Sequence, residues 1–302
     1  MSAVSTGSPP ADARDRHSAP LRVRMVRLLR AYPPLVMLCL AWIALMLAVA
    51  ALADVIAPYG YSQMDLLARL SPPAFAGGDA AHWLGTDELG RDVLSRLMHG
   101  VRISLLVAFL GTVLSAIVGV TLGMLAAHFR GWVEQVVLTL VDFQASMPFM
   151  IIALAVLAFF GNTLTLFIAL MGLHGWERAA RIARGLTIAA NEQGYAAAVT
   201  DIGASPLRVY ALHVLPNIAS TLIVSVTLTF PEIILLESGL SFLGLGVQRP
   251  MTSLGNMVGY GREYLQSAPW LLLAPSLVIV LTTFSVSIVG DWLRDRLDPT
   301  LR

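Results

Sequence analysis

Lysine is missing from this chain: all 20 of its basic residues are arginine. A P-loop needs a lysine on the β- and γ-phosphates, and Schiff-base chemistry needs a lysine amine, so this polypeptide can do neither. There is one cysteine, Cys39, set inside an apolar run; it has no partner for an internal disulfide and reads as a small buried hydrophobe. Charge is scarce, at 13% of 302 residues against 57% apolar, with a mean hydropathy of +0.74. Several uncharged runs exceed the roughly 18 residues that mark a spanning helix. An ordinary soluble domain is thereby excluded and an all-α polytopic membrane protein is predicted. The runs do not alternate, which argues against a β-barrel. The six histidines (His17, His82, His99, His128, His174, His213) show no His-Glu-x-x-His spacing, and no nucleophile–base pairing stands out. No catalytic residue, metal site or nucleic-acid partner is expected.

What is present is organised around one polar stretch, Glu192 to Asn217, held between long apolar runs. Residues 191–202 read as an alanine-rich helix broken by Gly203. Ser205 can cap a second short helix with Pro206 in its first turn, and Pro216 is expected to end that helix. The element is a helix–turn–helix shaped to meet something outside the bilayer.

Six spans are expected, at about 34–53, 103–127, 135–160, 164–183, 218–239 and 270–290. Basic residues before the first span and Ala51-Leu52-Ala53 after it resemble a signal peptide, but the apolar run is longer than a signal core. Residues 1–33 form a polar, partly disordered tail, 54–100 a polar loop and 101–293 a five-helix core. That core carries the polar segment 185–217, and 294–302 is a second tail. In the second span Gly111, Ser115, Gly119 and Gly123 make a small-residue ridge that a second helix can approach closely, whether from this chain or from another subunit. Residues 240–269 read as a glycine-rich loop. With the amino terminus inside, 14 arginines fall on inner segments and six (Arg69, Arg91, Arg96, Arg102, Arg249, Arg262) on outer loops. That bias places both termini and the helix–turn–helix in the cytoplasm.

The central stretch resembles the EAA loop of ABC-importer membrane subunits, whose pattern is Glu-Ala-Ala, three residues, Gly, nine residues, Ile-x-Leu-Pro. Gly203, Leu215 and Pro216 match with the right spacing, whereas Ala197 stands at the Glu position, Val199 at an Ala and His213 at the Ile. Three further stretches sharpen the resemblance. His82-Trp83-Leu84-Gly85-Thr86-Asp87-Glu88-Leu89-Gly90-Arg91-Asp92-Val93-Leu94-Ser95-Arg96, Leu240 to Gly246 and Gly290 to Arg302 are similar to signatures of the dipeptide/oligopeptide/nickel permease group, in its C-type subunit.

The resemblance implies the ABC importer type I permease fold in a bacterial cytoplasmic (inner) membrane. It also implies a second homologous permease, two ATP-binding subunits that hold ATP and Mg, and an extracytoplasmic substrate-binding protein. No cofactor is implied in this chain. Short peptides are the implied substrate, with nickel, glutathione or an opine as alternatives. Glu192, Tyr195, Ala197, Ala198, Asp201, Gly203, Leu215 and Pro216 would form the coupling loop to the ATPase. In place of the missing acid, either Glu192 or Asp201 pairs with the ATPase, or docking is apolar through Tyr195, Ala198 and Ile202.

Candidate path-lining residues are Asp142 and Ser146, the stripe Thr221, Ser225 and Thr229, and Thr283 with Ser287; each can equally bond a neighbouring helix. A lone Asp142 at a helix centre would cost about 2.5–3.5 kcal/mol, so it belongs near an end or beside water. The rival from another class is a proton-coupled secondary transporter relaying protons through Asp142, Glu232 or Glu237. No inverted repeat is visible to support it.

Overall fold

The structure is a computed structural model that describes residues 33–193, 199, 203–248 and 250–297. Tyr195, Ala197, Ala198 and Asp201 of the expected coupling loop, and the arginine-bearing amino-terminal tail, lie outside the described residues. Among those described the fold is helical throughout, with a single isolated bridge between Thr86 and Asp92 in place of any strand.

Helix α1 (Pro34–Ile56) opens with proline at its first position, where the missing N–H costs nothing. At 1.5 Å per residue it is about 35 Å long, enough for the hydrocarbon core. Trp42 Nε1 donates to Thr282 Oγ1 of the last helix at 3.1 Å. The carboxy-terminal end of α1 is tied to α2 (Val93–Phe129) by Arg102, which donates to the Ala50 carbonyl at 2.6 Å and to Asp54 at 2.7 Å. Arg130 (φ 50°) and Gly131 (φ 54°) make the left-handed turn into α3 (Gly131–Ser146).

The run expected as one span at 135–160 is two helices: α3 and α4 (Phe149–Phe160) meet at 89°. Pro148 has no N–H to continue the ladder and forces Met147 into extended geometry (φ −103°, ψ 137°). The next expected span is also divided, into α5 (Leu164–Gly172) and α6 (Trp176–Glu192), parted at residues 173–175 where Gly175 takes φ 83°.

After Gly203, α7 (Pro206–Val209) passes through a π-turn at Tyr210–Val214 into α8 (Leu215–Thr227) and then α9 (Thr229–Phe242). Pro216 therefore does not end the helix. Leu215, just before it, is fully helical (φ −57°, ψ −46°), and its N–H bonds to the Tyr210 carbonyl five residues back. That widened turn makes room for a ring that would otherwise press on the carbonyl four residues earlier. Ser205 has the backbone of a cap, but its side chain makes no capping bond.

The expected loop at 240–269 holds a further helix, α10 (Leu254–Gly261), capped by Ser253, whose Oγ accepts from Asn256 N at 3.1 Å. Helix α11 (Trp270–Leu297) runs through Pro275 and past the predicted end at 290. By length and hydropathy α1, α2, the unit 206–242 and α11 can each cross a membrane, and α3 with α4 makes a fifth crossing if the bent pair is one.

The core collects Leu157, Phe167, Met171, Ile233, Ile234 and Leu240 around α2, all essentially inaccessible. The glycine ridge of α2 packs within this chain, against α5 and α6. A Cβ on Gly119 would lie 2.5 Å from the Trp176 carbonyl and one on Gly123 2.4 Å from that of Ala180. Lipid supplies no hydrophobic drive between helices, so close backbone approach is what holds this pair together.

Candidate functional site

Three polar regions interrupt the apolar bundle. The first is the turn after α6. Glu192 is its exposed last residue. Gly203 takes φ 87°, and Ala204 N–H donates to the Val199 carbonyl at 3.3 Å, the bond that closes a glycine-terminated helix end. Below the turn, Val209, Val214 and Ile218 are buried against Ala183, Ala190 and Leu222. Asn191 Nδ2 donates to Tyr210 Oη at 3.0 Å and fixes the two arms together. The opposite face is bare: Leu207 is 81% exposed and Leu212 61%, and Leu215 and Pro216 are exposed beside them. The described residues make an elbow with an apolar outer face.

The second region is built from residues 82–96. Asp87 Oδ1 accepts from the backbone N–H groups of Leu89 (2.8 Å) and Arg91 (3.0 Å). Its Oδ2 takes Arg91 Nε at 2.7 Å and also Arg96 Nη1. Burial alone would raise the Asp87 pKa, but the Arg96 charge and these backbone donors outweigh it and hold the carboxyl below its ordinary value. Asp92 caps α2 by accepting from Ser95 N at 2.7 Å, and its other oxygen lies 3.0 Å from His82 Nδ1. Gly90 (φ 71°) allows the hairpin to touch residue 65: a Cβ there would fall 1.6 Å from the Asp65 carbonyl oxygen. Next to this loop, Glu237 is wholly buried and takes hydroxyls from Ser104, Ser241 and Ser253.

The third region lies where helices break. Glu232 of α9 accepts from Arg178 Nη1 at 2.8 Å, with His174 Nε2 at 3.6 Å. Asp142 of α3 accepts from Arg181 Nη2 at 2.6 Å, and Arg184 Nε reaches Glu134 at 2.7 Å. Asp142 is thus paired. Ser146 donates to its own helix at Phe143 O, and Thr283 likewise to Ile279 O. Thr229 is buried against Gly175, Thr221 is exposed, and Ser225 and Ser287 are half-buried. The structure brings Asp142 to α6, with Ser146 one turn further along α3, and sets Thr229 against Gly175 at the start of α6, one turn from Glu232. In sequence Arg178, Arg181 and Arg184 stand only among the 14 arginines of the inner segments. Their spacing of three on one helix was the available signal; their acids lie 39 to 54 residues away.

Broken apolar helices around paired charges define a helical membrane protein. Residues 119–302 match the family described as binding-protein-dependent transport system inner membrane component, and residues 33–73 match the N-terminal TM domain of oligopeptide transport permease C. The chain belongs to this family of inner-membrane transport components. It is 38% identical to the di/tripeptide transport system permease protein DppC of Pseudomonas aeruginosa over 82% of each chain. It is 35% identical to the oligopeptide permease OppC of Bacillus subtilis, over 89% of this chain and 86% of that one. A glutathione transport system permease, GsiD of Pectobacterium atrosepticum, is 33% identical over 86% and 85%. In fold it is similar to a chain of the inward-facing MetNI methionine ABC transporter, with TM-score 0.54, 20% identity and coverage of 68% and 96%.

Proposed function

We propose that this chain is the C-type permease subunit of an ATP-driven importer of short peptides. The observation that carries the reading is its identity of 38% over 82% of both chains with a di/tripeptide permease, joined to the N-terminal match to oligopeptide permease C. The chain pairs with a second permease, two ATPase subunits and an external binding protein. ATP and Mg sit on the ATPases, since a chain without lysine has no P-loop of its own. Six crossings put both termini in the cytoplasm, α5 with α6 forming the sixth as a broken span.

The elbow at 192–217 is the coupling segment. Its exposed Leu207 and Leu212 meet a groove on the ATPase, and its buried face passes the motion to α6 and α8 as a rigid body. With Tyr195, Ala197, Ala198 and Asp201 it makes the docking loop. Asp142, Ser146, Thr221, Ser225, Thr229, Thr283 and Ser287 are the candidate path residues.

Reconstitution of the chain with its four companions in liposomes tests this. Uptake of radiolabelled dialanine should require ATP and the binding protein. Accumulation driven by a proton gradient without ATP would overturn it in favour of a secondary transporter. The glutathione relative supports a second substrate reading, and glutathione in place of dialanine in the same assay decides between them.

A further inference from the structure

The geometry points to a charged way-station for the substrate at the middle of the bundle, formed by Glu232 with His174 and Arg178 and by Asp142 with Arg181, which takes the free carboxylate and ammonium ends of a short peptide in exchange for these ion pairs. The inference rests on the peptide-import reading and adds the residues that meet the cargo.

Depth is the first argument. The uncharged stretch of α2, residues 103–127, has its midpoint at Ser115. A Cβ on Gly175 would lie 3.5 Å from Ser115 Oγ and 2.9 Å from Thr229 Cγ2, so the start of α6 and the α8–α9 junction meet at that level. Arg178 and Arg181 follow Gly175 by about 4.5 and 9 Å along the helix. Charged side chains at such depth do not face lipid; they face water or protein.

The second argument is the backbone. Three breaks touch one another here: Gln144 Nε2, beside the 147–148 bend, reaches the Leu173 carbonyl at 3.4 Å, the Phe149 and His174 rings are 5.0 Å apart, and Gly175 abuts Thr229. Irregular backbone within a bilayer is tolerated only where it is buried in protein or lines a water-filled cavity, and the exposure of the charges beside these breaks favours the second. The first turn of α6 has no side-chain cap, and its N–H groups favour a carboxylate there, with Glu177 of the same turn opposing them.

The third argument is accessibility. Side chains of the Arg178–Glu232 pair are 50% and 37% exposed and those of Arg181–Asp142 50% and 71%, whereas Arg91–Asp87 in the loop at residues 82–96 is 7% and 2%. Open pairs can be traded for a ligand's charges; sealed ones cannot. The two ends of a short peptide such as dialanine carry one charge of each sign, so an exchange with an ion pair leaves no bare charge in the bundle.

The test is dialanine uptake by the complete reconstituted transporter at saturating binding protein. Arg178→Gln and Arg181→Gln should each lower uptake about tenfold, the scale of one lost charge-assisted hydrogen bond, with binding-protein-stimulated ATP hydrolysis within about twofold of the parent. Arg181→Lys, which keeps the charge, should recover most of the loss. The exchanged pair Asp142→Arg with Arg181→Asp separates the roles: a purely structural ion pair would be restored by it, and a peptide-binding one would not. Restored uptake in the exchanged pair, or ATP hydrolysis falling in step with uptake, overturns the way-station. Failure of the unmutated complex to import dialanine overturns instead the peptide reading beneath it.

Discussion

Ser253 Oγ lies 2.7 Å from Glu237 Oε1, and the same hydroxyl caps α10 by accepting from Asn256 N. One side chain thus joins α10 to a carboxylate that also holds Ser104 of α2 and Ser241 of α9. Glu237→Ala would strand three hydroxyls and open a cavity, which should cost upward of about 4 kcal/mol. Ser253→Ala removes one donor to Glu237 and one cap and should cost about 1–2 kcal/mol. Thermal unfolding of the purified subunit in detergent gives both, and equal losses would mean that Glu237 is not the hub.

Acid should loosen the loop at residues 82–96 through Asp87. Its carboxyl is held below the ordinary value of about 3.9, so the stabilisation is complete above that value. As pH falls past it the unfolded loop takes up a proton first, and the stabilisation is lost by the time pH passes the folded value. Protease protection of residues 82–96 should therefore hold from neutrality to about pH 5 and fail only below about pH 4. Asp87→Asn breaks a buried pair and should cost about 3–5 kcal/mol at neutral pH while flattening the acid transition. Loss of protection already at pH 6 would point to another group.

The α2–α6 seam predicts opposite outcomes for two glycines. Gly119→Ala places a methyl 2.6 Å from Ala179 Cβ and should cost about 1–3 kcal/mol by forcing the helices apart. Gly185, inside α6, has open space around it, and Gly185→Ala should gain up to about 1 kcal/mol of helix propensity. Unfolding temperatures moving in opposite directions would confirm that α6 sits on the ridge.

The two outcomes also mark what was legible in the chain. A repeat of Gly111, Ser115, Gly119 and Gly123 announces a close-packed helix, but its partner is set by tertiary contact, and only the structure names α6. Composition likewise announced apolar helices, yet not their interruptions. Pro148 was visible and breaks its run, whereas Pro216 was visible and does not, because the π-turn ahead of it absorbs the ring. No local pattern separates those cases. Ion pairs were least legible of all: Arg181 with Asp142 and Arg178 with Glu232 join residues that sequence treats as unrelated.

The elbow offers the sharpest separation of stability from coupling. Leu207 is 81% exposed, so Leu207→Asp should leave the subunit's own stability within about 0.5 kcal/mol. If that leucine enters a groove on the ATPase, a buried, unpaired carboxylate there would cost several kcal/mol, and co-purification of the ATPase chains should fall by tenfold or more. Gly203→Ala is the complementary change. It has φ 87° and nothing within 4 Å of an added Cβ, so the penalty is backbone strain of about 1 kcal/mol, with no clash. That strain shifts the angle between the arms without removing a docking side chain. Assembly should survive in Gly203→Ala while stimulated ATP hydrolysis yields less uptake per ATP; in Leu207→Asp both should fall together. Identical behaviour of the two variants would mean that the elbow docks without transmitting its angle.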